Sequence, residues 1–286
     1  MTAGPDLALG IDGGGTGCRA ILADASCRVI GRGTAGPANI NSDPVGALAA
    51  IQDAAAQALG GRDACRVAAT LGLAGAEVSG AGPDLAAQLP FGRVQVVQDA
   101  ATALAGALGD ADSDGIVAAI GTGSVFARRL GGRLRVIGGR GPILGDEAGG
   151  NWLGRRLLTG ALRAADGLAP MGALVRAVLD RHGGIGGVIR FAATATPADF
   201  GAGCALLLAH PGDPLTDALL AEADAQIGAY LAVLQQDAPT ALPVALTGGL
   251  AEVFAPRLSG AWPLRPAAGT ALDGALTMAQ ALRVAP

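Results

Sequence analysis

The chain has 286 residues, a net charge of −4 and a hydrophobic content of 51%, which is enough for two domains that each bury a core. All 20 basic residues are arginine, which excludes a P-loop lysine, the strand lysine of a protein kinase and Schiff-base chemistry on lysine. Because no basic run appears, the sequence predicts no nucleic-acid partner.

Cysteine spacing and hydropathy set two further limits. The four cysteines contain no C-x-x-C pair and are accompanied by only two histidines, so no zinc-binding spacing is present. No apolar run approaches the roughly 20 residues of a membrane span, and the N-terminal segment lacks the features of a signal peptide. We therefore expect a cytoplasmic protein with reduced cysteines and no membrane partner.

The first elements in chain order are three short strands joined by tight turns. Residues 7–12 form an apolar run that ends in a glycine-rich turn, and the segments 17–23 and 27–33 follow. Their hydrophobic residues recur with a period of two rather than 3.6, which predicts an antiparallel meander instead of a strand followed by a helix.

A helix and then an alternation of strands and helices complete the first half. The helix at 43–59 has Ser42 or Asp43 as its N-cap and Pro44 in its first turn. The polar segment 109–114, rich in Gly and Asp, is the predicted domain boundary. The elements expected before it are a strand at 67–74, a short helix at 80–88, a strand at 94–98 and a helix at 100–108.

The opening pattern returns after this boundary. Strands are predicted at 116–120, 125–130 and 134–138, with a glycine turn after the first. The tetrapeptide Arg-Val-Ile-Gly at 28–31 recurs at 135–138, and at the same offset Gly14 falls on Gly121. A repeated word in the same frame of strands indicates duplicated halves.

The remainder of the chain is mainly helical. Helices are predicted at about 147–165, 171–182, 197–209, 213–236 and 270–283, with one strand at 243–247 and a helix after it. The mixture predicts an α/β protein with two similar sheets. We expect domains at 1–113 and 114–286, with the last helix packing back on the first domain.

Three glycine turns, each after an apolar strand, are the main candidates for chemistry. Glycine lets the backbone approach a ligand closely, and successive N–H groups form a nest suited to phosphate. A single such turn is more often an ordinary hairpin, but three of them favour nucleotide binding. Asp12, which precedes the first turn, is suited to a hydrated Mg²⁺. The turns consist of Gly13, Gly14, Gly15 and Thr16; of Gly121, Thr122, Gly123 and Ser124; and of Thr247, Gly248 and Gly249.

These turns resemble the two phosphate loops and the adenosine loop of the actin, sugar kinase and Hsp70 superfamily. Within it, the chain resembles the BadF/BadG/BcrA/BcrD-type ATPase family, and in particular its bacterial glucosamine and N-acetylglucosamine kinases. The matching segments occur in family order and cover most of the chain. Besides the three turns, they are Pro37–Ile40, Gly72–Glu77, Gln98–Ala100, Gly138–Gly141 and Gly145–Glu147.

The resemblance implies a fold and an activity. The fold would be two related domains of the actin-like ATPase (ribonuclease H-like) type around a nucleotide cleft. The activity would be phosphorylation of an amino sugar at its 6-hydroxyl, with ATP and Mg²⁺. ATP phosphates would contact the first two turns, Gly248 and Gly249 would border the adenosine, and Asp12 would bind the metal. The family also suggests a homodimer.

The resemblance also assigns roles to polar and glycine residues. Asp99 would be the general base, and chemistry agrees, because phosphoryl transfer needs a group that deprotonates the nucleophile and this chain has no lysine. The structural alternatives are an N-cap for Asp99, a turn for Asn39 and the start of a helix for the two acidic residues. The residues implied in sugar binding are Asn39, Gly75, Ala76, Gly138, Gly139, Asp146 and Glu147.

Two other functions stay open at this point. One is an ATPase activator or regulator of the BadF type, but activators with an iron–sulfur cluster need cysteines near the second phosphate loop, and residues 115–203 contain none. The other is a kinase of a different hexose. Ala74 stands where some N-acetylglucosamine kinases have serine, which leaves the acyl preference open.

Overall fold

A computed structural model describes residues 5–15, 17–76, 80, 82–110 and 113–285. The chain divides into two compact units. The first comprises Met1–Val117, Ala127–Leu134 and Pro266–Pro286, and the second comprises Ala118–Phe126 and Arg135–Arg265. No helix in the described ranges is long and apolar enough to cross a membrane.

Two five-stranded sheets share one strand order. The first sheet is ordered β3-β2-β1-β4-β5, and the second is ordered β8-β7-β6-β9-β10. The mixed α/β class and the duplicated sheets expected from the repeat are thereby confirmed. The strands are β1 Leu7–Gly13, β2 Cys18–Ala23, β3 Val29–Ala35, β4 Val67–Leu73, β5 Arg93–Gln98, β6 Gly115–Ile120, β7 Ser124–Leu130, β8 Arg133–Gly138, β9 Val244–Thr247 and β10 Leu264–Arg265.

Helices cover the first sheet and fill most of the second unit. Besides a 3₁₀ turn at Ala64–Arg66, they are α1 Pro44–Leu59, α2 Gly82–Ala87, α3 Asp99–Leu108, α4 Gly141–Leu144, α5 Gly150–Ala165, α6 Ala173–His182, α7 Ile185–Thr194, α8 Pro197–Gly201, α9 Cys204–Leu208, α10 Pro214–Gln235, α11 Ala251–Leu258 and α12 Ala271–Val284.

In the first unit, the fold follows from its turn chemistry and its apolar strands. β1 pairs antiparallel with β2 and parallel with β4, and β4 pairs parallel with β5. All seven residues of β4 are buried, as expected for a central parallel strand. Helix α1 begins at the N-cap Asp43, which accepts a bond from the Gly46 amide at 2.9 Å, and ends at Gly60 in the left-handed conformation.

The C-terminal helix belongs to the first unit. α12 packs on β1, β4 and α3. Glycines let the backbones approach, because a Cβ on Gly274 would lie 2.0 Å from the Thr102 carbonyl oxygen, and one on Gly10 would lie 2.4 Å from the Leu276 nitrogen. The described first unit therefore depends on residues near the chain terminus for part of its core.

The second unit departs from the sequence predictions at several helix boundaries. The helix expected at 147–165 begins at Gly150, after the separate short helix α4. The helix expected at 197–209 is two helices, because Ala202 and Gly203 interrupt it. Helix α7 and strand β10 were missed; Gly186 and Gly187 lower the helix propensity of α7.

Candidate active site

The candidate residues of the first unit lie at the carboxyl ends of its parallel strands. Asp12 on β1 is in register with Gly72 on β4, and Leu73 on β4 is in register with Gln98 on β5. Asp99 follows directly as the first residue of α3. Because parallel strands end at the same edge of a sheet, this arrangement brings both candidate carboxylates to one edge, where ligands bind in α/β proteins.

Asp12 is paired with an arginine that the sequence analysis did not assign to the site. Arg19 lies directly opposite on β2 and donates to Asp12 Oδ2 at 2.9 Å. The Asp12 side chain is only 15% exposed, against 64% for Arg19. Burial raises the pKa of Asp12, and the guanidinium opposes this shift. The hairpin register around the glycine turn was the signal that could have identified Arg19.

Asp99 is a half-buried carboxylate that accepts hydrogen bonds from the backbone. Its Oδ1 accepts from the Ala100 amide at 2.8 Å. Burial raises the pKa of Asp99, the Ala100 amide opposes the shift, and the negative charge of Asp12 adds to it. The N-cap position belongs to Gln98, which makes no side-chain capping bond, so the alternative reading of Asp99 as the N-cap is wrong.

The first glycine turn has open space around its backbone. The Ala38 amide donates to the Gly14 carbonyl at 2.8 Å, and the Gly14 amide donates to the Gly17 carbonyl at 3.0 Å. A Cβ on Gly14 or Gly15 would meet nothing within 4 Å. Packing therefore does not explain these glycines, and the space fits a ligand that approaches the backbone. Thr16 lies outside the described residues.

Asn39 and Gly75 face each other across a loop pair that is joined to the first turn. The Ile40 amide donates to the Ala74 carbonyl at 3.2 Å, and the Ala74 amide donates to the Gly13 carbonyl at 2.9 Å. Asn39 Oδ1 accepts from the backbone amides of residues 41 and 42. Asn39 therefore also stabilises a turn, which was the structural alternative to a role in sugar binding. Ala76 follows Gly75 and is half-buried.

The second glycine turn, in the second unit, is tied to the start of α5. The Gly121 amide donates to the Gly123 carbonyl at 2.9 Å, while the amides of Gly150 and Asn151 donate to the carbonyls of Gly121 and Thr122, both at 2.8 Å. A Cβ on Gly121 would meet nothing within 4 Å. The turn therefore has a fixed base and an open face.

The third glycine turn packs against the second. The Leu250 amide donates to the Ile120 carbonyl at 3.0 Å. Gly248 has a φ of +90°, and a Cβ on it would lie 2.4 Å from the same carbonyl oxygen, so only glycine fits here. Gly249 has open space around it. The structure thus brings two of the three predicted nucleotide turns together within the second unit.

Asp146 and Glu147 precede α5 rather than beginning it. Asp146 has a φ of +58° and Ala148 one of +65°, so their suggested alternative as the first turn of a helix is wrong. Asp146 Oδ1 accepts from the Gly141 amide at 3.3 Å, and Glu147 Oε2 accepts from the Tyr230 hydroxyl at 2.8 Å. Burial raises the pKa of Asp146, the Gly141 amide opposes the shift, and the charge of Glu147 adds to it.

Gly138 and Gly139 lie beside these acidic residues in the second unit. Both have positive φ values, +73° and +63°, and the Gly139 amide donates to the Ser124 carbonyl at 3.0 Å. The Ser124 hydroxyl in turn donates to the Glu147 carbonyl at 2.6 Å. Segments 138–139 and 146–147 are therefore both held by Ser124, at the end of the second glycine turn.

The side chains around Asp12 fit a Mg²⁺ ion that takes most of its ligands from phosphate and water. They do not fit a metal ion whose ligands all come from the protein. Among the described residues, no group of three or more His, Cys, Asp or Glu side chains could hold a metal ion. Mg²⁺ commonly uses one carboxylate together with phosphate and water oxygens, and Asp12 provides that carboxylate beside the open space at Gly14 and Gly15.

Two sheets of one strand order, with glycine turns and carboxylates after their strands, define a mixed α/β protein of the actin-like ATPase fold. The chain belongs to the BadF/BadG/BcrA/BcrD ATPase family, whose model matches residues 9–256. The family resemblance expected from the sequence is confirmed.

Two curated relatives and one solved structure illustrate the similarity. The chain is 33% identical to a glucosamine kinase of Vibrio cholerae serotype O1, over 95% of both chains. It is also 33% identical to an N-acetylmuramic acid/N-acetylglucosamine kinase of Clostridium acetobutylicum, over 55% of this chain and 54% of the relative. A protein of Chromobacterium violaceum, provisionally assigned as an N-acetylglucosamine kinase, has a TM-score of 0.84 and 31% identity, covering 95% of this chain and 98% of its own.

Proposed function

We propose that this protein is an ATP-dependent sugar kinase that phosphorylates glucosamine or N-acetylglucosamine at the 6-hydroxyl. The observation that carries the proposal is the half-buried Asp99 carboxylate, at the same sheet edge as Asp12, the first glycine turn and the loops of Asn39 and Gly75. The similarity to a glucosamine kinase over 95% of both chains supports the choice of substrate class.

In the proposed reaction, Asp99 acts as the general base. The sugar 6-hydroxyl oxygen attacks the γ-phosphorus of ATP, and its proton passes to the Asp99 carboxylate. The new oxygen–phosphorus bond forms as the bond from the γ-phosphorus to the bridging oxygen breaks, and ADP leaves with that electron pair. Burial suits Asp99 to this role, because a carboxylate with a raised pKa is a stronger base.

The glycine turns are proposed to bind the nucleotide. The Gly15 amide in the first turn, and the Thr122 and Gly123 amides in the second, would donate to phosphate oxygens. A Cβ on Gly14, Gly15 or Gly121 would meet nothing within 4 Å, which leaves room for the phosphates beside the backbone. Gly248 and Gly249 would border the adenosine. Magnesium, when bound with ATP near Asp12, neutralises phosphate charge.

The remaining predicted residues are proposed to recognise the sugar. Asn39 would bind sugar hydroxyls from the first unit, beside the backbone of Gly75 and Ala76. Asp146 would accept hydrogen bonds from sugar hydroxyls in the second unit, and the backbone at Gly138 and Gly139 would leave room for the ring. Glu147 would bind sugar hydroxyls as well, through the carboxylate oxygen that does not accept from the Tyr230 hydroxyl.

The second candidate function is phosphorylation of an amino sugar that carries a different acyl or ether substituent. The partial similarity to an N-acetylmuramic acid/N-acetylglucosamine kinase favours it. The two candidates share the chemistry at the 6-hydroxyl and differ in the groups carried elsewhere on the ring, so one experiment can compare them.

The test is ADP release from the purified protein with Mg-ATP and a panel of sugars. Glucosamine, N-acetylglucosamine, N-acetylmuramic acid and glucose are compared with a reaction that lacks sugar. We expect the highest kcat/KM with one of the first two sugars and little ADP without sugar. ADP release that does not depend on any sugar would instead support an ATPase activator or regulator.

A further inference from the structure

Glu147 is engaged by a residue that no motif in the sequence identified. The hydroxyl of Tyr230, on α10, donates to Glu147 Oε2 at 2.8 Å. Tyr230 is the only tyrosine of the chain. One carboxylate oxygen of Glu147 is therefore committed to the protein, which is unexpected for a residue whose only role is to bind a sugar.

The ring of Tyr230 is itself held in place. It stacks on Phe126 with the ring centroids 4.3 Å apart and the planes 10° from parallel. A Cβ on Gly138 would lie 3.2 Å from the Phe126 ring and 3.5 Å from the Tyr230 ring, so both rings pack against that glycine. Tyr230 thus contacts both second-unit segments that were assigned to sugar binding, at Gly138 and at Glu147.

The segment that Tyr230 holds has an unfavourable backbone conformation. Asp146 and Ala148 both have positive φ without being glycine, and such residues persist only where the surroundings fix them. The hydroxyl of Ser124 holds the Glu147 carbonyl, and the hydroxyl of Tyr230 holds the Glu147 side chain. These two bonds hold Glu147 beside Asp146, whose own carboxylate accepts from the Gly141 amide at 3.3 Å.

We propose that Tyr230 is a positioning residue for the sugar: its hydroxyl fixes Glu147, and through Glu147 it fixes the segment that presents Asp146. This inference rests on the proposed sugar kinase function. It changes the main role of Glu147 from a sugar ligand to the link between α10 and Asp146. Tyr230 touches no reacting atom in this account, and its effect is on sugar binding.

The kinetic test compares Tyr230→Phe with the unaltered protein. The phenylalanine ring keeps the stacking on Phe126 and loses only the hydroxyl. We expect the KM for the sugar to rise on the order of tenfold, the size of a lost hydrogen bond to a charged group, with kcat and the KM for ATP little changed. Gln226→Ala, one turn earlier on α10, is the matched control and should leave all three constants unchanged.

Variants of Glu147 separate positioning from a merely structural role. Glu147→Gln keeps an oxygen that accepts from Tyr230 and should retain most sugar affinity, whereas Glu147→Ala should lose it. In the Glu147→Ala background, Tyr230→Phe should add little, because the two residues act through one bond. Full additivity of the two losses, or an unchanged sugar KM in Tyr230→Phe, would overturn the proposal.

A spectroscopic readout keeps this inference distinct from the proposed function. Because the chain has one tyrosine, ¹³C-labelled tyrosine gives a single Cζ resonance that reports the hydrogen bond of its hydroxyl. We expect Glu147→Ala to shift that resonance and Glu147→Gln to shift it less; identical spectra would contradict the pairing itself. If no sugar stimulates ADP release in the unaltered protein, the proposed function fails while the spectra still test the pair.

Discussion

Asp12 and Asp99 are half-buried carboxylates at one edge of the first sheet, at the ends of β1 and β5, and each is held in a different way. Asp12 is compensated by Arg19 at 2.9 Å, whereas the Asp99 carboxylate accepts from backbone amides, among them that of Ala100 at 2.8 Å. Their positions after apolar strands made both residues predictable from the sequence. Their burial, the effect of one charge on the other and the partner Arg19 depend on pairing between strands, which the sequence alone did not specify.

The general-base role of Asp99 predicts the effect of removing its charge. Asp99→Asn can still accept from the Ala100 amide, so the fold should be kept, but kcat should fall by at least ~10²-fold because the proton acceptor is lost. Asp84→Asn, an exposed aspartate in α2, is the control and should be as active as the parent. An Asp99→Asn enzyme with near-normal kcat would refute the assignment.

The raised pKa of Asp99 predicts how activity and stability depend on pH. The base must be ionised, so kcat should fall on acidification at a pH above the ordinary carboxyl value of 3.8. Folding raises this pKa, so its contribution to stability is present below the ordinary value and is lost as pH rises through the folded value. The Tm of Asp99→Asn minus the Tm of the parent should therefore be more positive at neutral pH than in acid. An acid limb at or below 3.8, or a Tm difference independent of pH, would contradict this account.

At the scale of elements, every strand except β10 was predicted to within about two residues, while several helices of the second unit were not. Alternating strands and glycine turns leave a local signal in the sequence. The stretch before α5 does not, because positive φ values at Asp146 and Ala148 arise from packing against Ser124 and Tyr230 rather than from local preference. The contact between Tyr230 and Glu147 was not predicted for the same reason, because the two residues lie far apart in the sequence and meet only through packing.

The loop of Gly75 supplies a test of the proposed sugar contact with Asn39. Gly75 has a φ of +85°, and a Cβ there would lie 2.9 Å from Asn39 Oδ1, whereas Gly61 has a φ of +83° and nothing within 4 Å. Alanine at either site should cost about 1–2 kcal/mol of stability for its left-handed backbone, and the cost should be greater at Gly75, where a Cβ would also lie 2.6 Å from the Asn41 Cβ. Only Gly75→Ala should also raise the KM for the sugar, measured by ADP release. Equal sugar KM values in the two variants would count against the contact.

At the scale of the whole molecule, duplication explains why two sheets share one strand order. The recurrence of Arg-Val-Ile-Gly at 28–31 and 135–138 places one copy at β3 and the other in β8, which are edge strands at equivalent positions. A four-residue repeat was thus enough to indicate the duplication. The domain boundaries at 113 and 114 and the homodimer remain predictions.

The return of the last helix to the first unit predicts a stability effect. Gly274→Ala places a Cβ 2.0 Å from the Thr102 carbonyl oxygen, and such overpacking should cost about 1–3 kcal/mol and lower the Tm. Gly186→Ala is the control, since this helical glycine has only the tip of Arg190 near it and should gain up to about 1 kcal/mol. Similar Tm shifts in the two variants would show that α12 does not pack as described.

The most direct test of the central claim is to identify the product by ³¹P NMR. The protein is incubated with Mg-ATP and the preferred amino sugar, and the same reaction is run with its 6-deoxy analogue and with Asp99→Asn. We predict one sugar 6-phosphate for each ADP in the first reaction and almost none in the other two. Inorganic phosphate in place of a sugar phosphate, or phosphorylation of the 6-deoxy sugar, would contradict the account.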